Sequence, residues 1–571
     1  MIEAVPSHSL NTHIYTFNFK YIIMKNKCLN FLLFVVVAFV SPGLLWAQNQ
    51  PVKGKVLDEK TKEALIGVSV LEAGSTSNGT VTDLDGNFSL SVPEGATLRI
   101  SYVGYLVQEI PLNGRKSLEV LLKEDTEMLD EVVIVGYGVQ KKATLSGSVT
   151  SIGGEKLANT PVTNVSQGLA GRLPGVVAIS NTAEPGYDGA TIRIRGVNTF
   201  GKADPLVVVD GVPGRSLERI DPSTIETMSV MKDASAAIYG AQAANGVIII
   251  TTKRGKKGKP TVNLSYNYGI SRPTVIPEMA NASEYATLLN EIDKYAGNKE
   301  RYTPEDIQKY RDGSDPWSYP NTDWFKETLK PWSPQTYANA TIDGGTDNMT
   351  YFVSVSAKTQ DGFYRNSGTK YNQYDLKSNL DLKLNKYINL FMNLTGRMED
   401  RKYPTRSSEN IFRMLMRSKP NMPAYWPNGL PGPDIEFGDN PVVIATDATG
   451  YERDKRYILN GDFGVNINVP YVEGLTLKAT ASLDKNFRFR KIWQTPWTLY
   501  SWDGTSMDEN NNPLLVEGKK GFSDPRLRES MEDNQNILLS GIINYNRTFA
   551  ENHSVNVLAG AERITGKGDS F

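Results

Sequence analysis

Cysteine and histidine are nearly missing from this sequence. Its 571 residues include one cysteine, Cys28, and three histidines, His8, His13 and His553. All of these except His553 precede or lie within an apolar segment with the marks of a cleaved leader. That excludes a disulfide framework, cysteine-rich zinc sites, a cysteine nucleophile and any site needing two His ligands. A Ser-His-Asp triad would have only His553 as its base. Excess charge is also absent. Lys+Arg 62 against Asp+Glu 63 leaves a net charge of −1, which argues against nucleic acid as a partner. Beyond the leader no run approaches 18 uncharged apolar residues, so the chain could enter a membrane further on only as a β-barrel.

Charged residues make up 22% and apolar residues 40%, so most of the chain has the means to fold. Gly 49 and Tyr 27 favour turns and strands. At about 150 residues per domain the length holds roughly four domains.

Met24 to Gln48 reads MKNKCLNFLLFVVVAFVSPGLLWAQ. Lys25 and Lys27 form a basic n-region, Leu29–Val40 an apolar h-region, and Leu45-Trp46-Ala47 a cleavage site. The apolar run is short for a spanning anchor. Residues 1–47 are therefore expected to be a signal peptide with an upstream extension, Met24 being a candidate start.

Residues 50–123 alternate with period two in short stretches. Asp85-Gly86-Asn87 supplies a turn between Val81 and Phe88-Ser89-Leu90, and the spacing suggests a β-sandwich. Asp83–Asn87 superficially suits calcium, but glycine stands fourth and no Glu falls twelfth, which favours a turn. The wording GKVLDEKTKEALIGVSV…GTVTDLDGNFSLSVPEGATLRISYVGY resembles the carboxypeptidase-regulatory-like domain. The resemblance implies an Ig-like sandwich and no peptidase activity.

Residues 124–142 begin as an acidic linker and continue as Leu129-Asp130-Glu131-Val132-Val133-Ile134-Val135-Gly136-Tyr137-Gly138. The β-branched run is a strong strand former. A Rossmann start fails because Lys141 holds the third glycine's place. Two readings stay open, a buried strand and an exposed strand that pairs with a partner's sheet edge. The segment resembles a TonB box of the long form found in SusC-like receptors. That implies contact with TonB, and through it ExbB/ExbD, by Asp130, Glu131, Val132, Val133, Ile134 and Val135.

Residues 143–255 read as a small mixed α/β domain. Ala190–Gly196 is a strand with one wet face, and Leu206–Val209 a buried strand running into Asp210-Gly211. An Ala-rich helix is expected from Ala234 to Gly240, and Asn245-Gly246 turns into Val247–Lys253. The stretches IRIRG, PLVVVDGVP, IETMSVMKDASAAIYG and ANGVIIITTKRG resemble the plug domain of SusC-like (RagA-like) TonB-dependent transporters. They carry the family motif through Arg193, Arg195, Gly196, Asp210, Gly211, Lys232, Asp233, Tyr239, Gly240, Asn245 and Gly246. Ala241-Gln242 replaces the common Ser-Arg, so no charge pair is expected there. From the residues alone, Asp210 is a turn former and Arg193 and Arg195 pair with carboxylates inside the domain. An acid/base pair drawn from Asp210, Asp233 and Glu226 is the enzymatic alternative.

Residues 256–571 carry long alternating runs. Val262, Leu264, Tyr266, Tyr268 and Ile270 are apolar against Asn263, Ser265, Asn267 and Gly269. Leu376, Leu380 and Leu382 oppose Lys377, Asn379 and Asp381, and Leu459, Phe463 and Val465 oppose Asn460, Asp462 and Asn466. Leu475–Leu483 alternates likewise, with Asp484 on the polar side, and Ile537–Tyr545 repeats the pattern. Helices are expected from Ser283 to Ala296 and from Thr303, with Pro304 at its first position. The runs suit tilted membrane strands. Tight turns at 385–387, 470–474 and 548–553 oppose long connections at 397–456 and 485–534, the layout of a bacterial outer-membrane barrel.

The expected fold is thus mainly β: an Ig-like β-sandwich, a small α/β plug, and a transmembrane antiparallel β-barrel of roughly 9–11 strands in 256–571, incomplete in this chain. Residues 565–570 lack the apolar alternation of a closing strand, so an N-terminal fragment or truncated frame is expected. The resemblance implies a non-enzymatic importer in the outer membrane of a Bacteroidota-like Gram-negative cell, with plug and N-terminal domain facing the periplasm. It implies no cofactor or metal, a SusD-like surface lipoprotein, an oligosaccharide or peptide substrate, and lipid around the wall. The alternatives are a non-transporting receptor or adhesin and a non-functional truncated barrel fragment. Trp317, Trp324, Trp332, Trp426, Trp493, Trp497 and Trp502 suit sugar stacking and interfacial belts equally.

Overall fold

The computed structural model describes residues 50–571 apart from 74–77, 94, 103–104, 124–131, 136–137, 142–148, 161–163, 181, 183, 198–200, 233 and 551–552. The leader, Asp130, Glu131 and Asp233 lie outside the described residues. The chain divides into two compact units, Met1–Glu131 and Val132–Phe571.

In the first unit, seven strands form two sheets: β1 Gln50–Asp58, β2 Ser69–Glu72, β3 Gly79–Val81, β4 Asn87–Val92, β5 Thr97–Ser101, β6 Gln108–Pro111 and β7 Ser117–Leu122. The sheets have the orders β4-β1-β7 and β3-β2-β5-β6. The period-two pattern is physical here, since β4 and β7 bury alternate residues. Val52, Val56, Val70, Leu98, Ile100 and Leu122 meet between the sheets. The Asp83–Asn87 turn carries the chain from β3 in one sheet to β4 in the other. The Asp83 carboxylate accepts the backbone N–H groups of Asp85 and Asn87 (3.0 and 2.8 Å), as a turn requires.

The second unit begins with β8 Val132–Val135 and β9 Gly138–Lys141. They form a separate two-stranded antiparallel ribbon, Val132 opposite Lys141 and Val135 opposite Gly138. β8 joins no larger sheet among the described residues. The small domain has a five-stranded sheet of β10 Val149–Gly153, β13 Leu206–Val209, β14 Val212–Pro213, β15 Ile225–Met231 and β16 Val247–Thr252. Its order is β10-β15-β16-β13-β14. A ribbon of β11 Val176–Ser180 and β12 Ala190–Ile194 packs beside it. Ile225, Met228, Ile248 and Ile250 are fully buried in the core. Helix α1, Gly154–Ala158, lies so close to β15 that a Cβ on Gly154 would sit 1.8 Å from the Ile225 carbonyl oxygen. The Ala-rich stretch is a 3₁₀ segment, Ala234–Ala243, with non-helical backbone at Gly240, where the sequence expects the helix to end. Small side chains leave it little to bury, and the tighter coil fits the short connection to β16.

The rest is one nine-stranded antiparallel sheet, the wall, which is not closed. It comprises β17 Gly258–Ser271, β18 Ser333–Gly345, β19 Met349–Asp361, β20 Lys370–Lys383, β21 Ile388–Tyr403, β22 Gly450–Asn468, β23 Leu475–Gln494, β26 Arg526–Phe549 and β27 His553–Ser570, each paired with the next. Residues 565–570 are strand, at the open edge of the sheet. Their backbone pairs with 532–537 although their side chains lack an apolar alternation.

The turns at 346–348, 384–387 and 469–474 lie at one end of the wall, and the long connections 272–332, 404–449 and 495–525 at the other. β21, β22, β23 and β26 extend beyond the apolar alternation into segments read from sequence as loop. Cross-strand ion pairs carry them there: Arg453–Asp400 (2.6 Å), Arg490–Glu452 (2.6 Å) and Lys491–Glu529 (3.1 Å).

The long connections fold into a lobe with its own core. It holds α2 Ala282–Tyr295, α3 Pro304–Asp312, α4 Trp324–Thr328, α5 Ser408–Arg417, α6 Pro441–Ile444, and the hairpin of β24 Trp497–Ser501 with β25 Val516–Lys520. Thr303 caps α3 with Pro304 following, as the sequence expected. Trp324, Phe325, Ile411, Met414, Ile444 and Trp497 pack together.

Candidate functional site

The wall is apolar outside and polar inside. Val262, Leu264, Tyr266, Leu376, Leu459, Phe463, Leu539 and Ile543 are exposed. Gln373, Lys377, Asn379, Asn393, Glu399, Asp454, Asp462 and Ser482 are buried. A water-soluble sheet protein has the opposite arrangement. The outer face needs hydrocarbon, and the inner face needs polar partners. Among the described residues no helix is long and apolar enough to cross a membrane.

The small domain supplies those partners. Arg215, just past β14, reaches the wall between β22 and β23. Its guanidinium donates to Asp462 (2.5 Å), to Asp484 (2.7 Å) and to the Ser482 hydroxyl (3.1 Å). The two carboxylates hold its pKa above the ordinary arginine value, against the effect of burial. Asp210 stands in the left-handed region at φ 52°, tolerable for aspartate in a turn. Its carboxylate accepts the Thr252 N–H (2.9 Å) and hydroxyl (2.7 Å) and faces Lys377 of β20 at 3.6 Å. Burial alone would push the Asp210 carboxyl up. Lys377, the Thr252 hydrogen bonds and Arg254 outweigh it and hold the group below the usual range. Asn379 donates to the Lys253 carbonyl (2.6 Å) and the Thr252 hydroxyl (3.0 Å), and Arg254 reaches Asp381 (2.5 Å). Further round, Tyr403 donates to the Pro185 carbonyl (2.6 Å) and Gln373 to that of Arg219 (2.9 Å). The domain is thus bound to the lumenal face by groups that would otherwise be buried without partners.

The motif residues have varied places. Arg193 pairs inside the domain with Asp204 (2.5 Å). Arg195 and Gly196 form a left-handed corner at φ 56° and 92°, where the Arg195 N–H donates to the Gly175 carbonyl (2.9 Å). Lys232 donates to the Thr150 hydroxyl (2.6 Å) and the Pro174 carbonyl, which ties β15 to the β10 and β11 regions. Tyr239 is buried beside Leu206 and Val247. Asn245 donates to the Lys202 carbonyl (2.9 Å), and Gly246 turns at φ 86°. Gly211 continues the Asp210 turn at φ 88°. Asp210 is therefore more than a turn former, because it also binds the wall. Among the described residues Asp210 and Glu226 form no acid/base pair, since Asp210 is committed to Thr252 and Lys377 and Glu226 is exposed; Asp233 lies outside the described residues.

Sequence reasoning missed Arg215 and Arg254. Their partners Asp381, Asp462 and Asp484 carried a signal, the polar register of the long strands. Nothing in the sequence said which cation each would meet. The tryptophans are neither belt nor open platform in three cases. Trp324 and Trp497 belong to the lobe core, and Trp426 is buried against Trp317 (5.5 Å, stacked) and Trp502 (6.3 Å, edge-on). Among the described residues no group of three His, Cys, Asp or Glu could hold a metal.

Residues 141–247 match the model of the TonB-dependent Receptor Plug Domain, and residues 52–134 that of the CarboxypepD_reg-like domain. The TonB-dependent receptor SusC of Bacteroides thetaiotaomicron is 33% identical over 459 residues, 75% of this chain and 43% of that protein. The chain is a homologue of SusC-like TonB-dependent receptors. A TonB-dependent receptor of Formosa agariphila is 31% identical over 549 residues, 94% of this chain and 48% of its own length. The chain spans about half the length of these curated relatives. Its fold is similar to that of the RagAB peptide importer in the open-open state, with TM-score 0.62 at 23% identity, covering 77% of this chain and 49% of that one. These relatives are TonB-dependent receptors and a peptide importer, not enzymes.

Proposed function

We propose that this chain is the plug-bearing part of an outer-membrane importer for oligosaccharides or peptides, driven through TonB. The observation that carries the reading is the inside-out wall with a folded domain bound to its polar face by Arg215, Asp210 and Arg254. A domain held by many polar contacts, none of them covalent, closes a pore yet can be moved.

Asp130 to Val135 is the segment offered to TonB, with ExbB/ExbD supplying energy from the proton-motive force. Support comes from the isolation of β8, which pairs with β9 outside the plug sheet. An outer edge of that ribbon would accept one more strand. The plug and the sandwich face the periplasm, and the lobe faces outward, where a SusD-like lipoprotein hands over the ligand.

Deleting 130–135 should abolish uptake while surface ligand binding persists. Loss of both would contradict the assignment. Surface ligand binding with no TonB-dependent uptake would favour the non-transporting receptor or adhesin reading.

A further inference from the structure

We propose that the outward face of the wall holds one phospholipid at a fixed site on β21, β22, β23 and β26, with an acyl chain in an apolar groove and the phosphate at Lys386. The inference needs only the lipid-facing wall. The leaflet to which the lipid belongs rests on the orientation proposed above.

The outward rows of the wall are not evenly filled. Phe463, Ala481 and Leu539 lie opposite one another across three strands, and Val465, Ala479 and Gly541 form the next row. The two alanines and the glycine lie low among Phe463, Leu539 and Leu390 of β21, and leave a groove of about 720 Å³. Ligand sites run from about 300 to 1,000 Å³. A Cβ on Gly541 would meet nothing within 4 Å. All four strands are paired on both sides, so the groove does not depend on the open edges of the sheet.

One further apolar row, Ile467 opposite Leu477, separates the groove from a second cavity. This one holds about 500 Å³ between the turns 384–387 and 469–474 and is polar, lined by Lys386, Tyr387, Asn468, Tyr471 and Thr476. Among the described residues no carboxylate pairs with Lys386, whose Nζ lies 4.9 Å from the centre of the Tyr387 ring. Glu473 also borders the cavity, but it is paired with Arg547 (3.1 Å). Tyr471 is fully exposed and stands at φ 69°, a region that bulky residues rarely adopt. A ring held out from the turn in this way suits the head-group level, where tyrosine meets an apolar and a polar phase together.

Length selects the occupant. From Asn468 beside the polar cavity to Phe463 at the far side of the groove is five residues of β22, about 17 Å of strand. A strand tilt of about 35–45° makes that about 12–14 Å of depth. One leaflet of hydrocarbon is about 15 Å, half of the usual core of about 30 Å. A free phosphate would meet Lys386 and leave the groove empty, and an alkane would fill the groove and leave the ammonium bare. A diacyl phospholipid fits both, its phosphate oxygens accepting from the lysine. The short turns face the periplasm in the proposed orientation, so the lipid comes from the periplasmic leaflet.

The test uses the full chain, extracted from outer membranes in mild detergent and checked for folding by protease resistance. Native mass spectrometry counts the lipid each chain retains, and palmitoyl-oleoyl phosphatidylethanolamine and phosphatidylglycerol in mixed micelles then serve as probes. The parent should retain about one phospholipid. Lys386→Ala should weaken binding of the probes about fivefold, a change of about 1 kcal/mol, and Lys386→Arg should keep it. Gly541→Leu, which fills the groove without touching a neighbour, should weaken binding by a similar factor. Lys259→Ala, an exposed cation near the same end of the wall, should leave it unchanged. No retained phospholipid in the parent, or lipopolysaccharide retained in its place, overturns the inference. Equal loss from Lys259→Ala and Lys386→Ala shows diffuse attraction to a basic rim and overturns the site, as does unchanged binding in Gly541→Leu.

Discussion

At the scale of single residues, the plug is held by a few buried charges whose loss is asymmetric. Replacing Arg215 by Ala leaves Asp462 and Asp484 facing each other without a cation, and breaking such a buried arrangement costs about 3–5 kcal/mol. Thermal unfolding in detergent should show a lowered midpoint for Arg215→Ala. Adding Asp462→Asn should recover part of the loss, since it removes the carboxylate–carboxylate repulsion and leaves one unpaired charge. Asp210 brings a pH dependence. Its folded pKa is depressed, so its stabilisation is complete above the unfolded value of about 3.9 and is lost as pH falls through the lower folded value. Asp210→Asn should therefore weaken plug anchoring at neutral pH and flatten the acid limb of stability below about pH 4. An acid limb identical to the parent's would remove Asp210 from the account. Gly154 makes a steric point. Its hydrogen faces the Ile225 carbonyl, so Gly154→Ala forces α1 off β15 and should lower the same midpoint.

At the scale of elements, each strand of the wall faces two solvents. Phe463 on β22 is about half exposed and faces outward, while its neighbour Asp462 is buried against Arg215. An arginine at such an outer position near mid-membrane costs about 2–4 kcal/mol. Phe463→Arg should therefore reduce folded, membrane-inserted protein, read by protease resistance after vesicle insertion. Arginine at the exposed, already charged Arg453 level should be tolerated. The lobe depends on its tryptophans for packing: Trp426 lies between Trp317 and Trp502 and donates to the Tyr500 carbonyl at 2.9 Å. Trp426→Ala should cost the lobe about 3–5 kcal/mol and reduce near-ultraviolet ellipticity, leaving the strand signal of the wall intact.

At the scale of the molecule, an open nine-stranded sheet with an apolar outside is stable only against lipid, and its two edge strands, β17 and β27, carry unpaired backbone groups. Sedimentation should place the protein with membranes and require detergent to release it, whereas a folded, detergent-free periplasmic product would contradict the wall. Much of this architecture was legible in the sequence. Alternation along Leu459–Asn468 or Leu475–Asp484 names the two faces of a strand, because a pleated chain has no third place for a side chain. Asp-Gly and Asn-Gly name turns, because few other residues tolerate left-handed backbone. The ends of β21, β22, β23 and β26 were not legible. Backbone pairing and ion pairs with neighbouring strands extend them past their own apolar pattern, and those neighbours are distant in sequence. Nor was the 3₁₀ coil at Ala234–Ala243, where tertiary space decided between two helices of similar local cost. The sequence by itself determined the alternation, the turns and a supply of lumenal carboxylates, all set within a few residues of chain. Tertiary structure alone decided that Arg215 would meet Asp462 and Asp484 and that Asp210 would meet Lys377. A buried charge takes as its partner whatever the fold brings within a few ångströms, and no local pattern records that meeting.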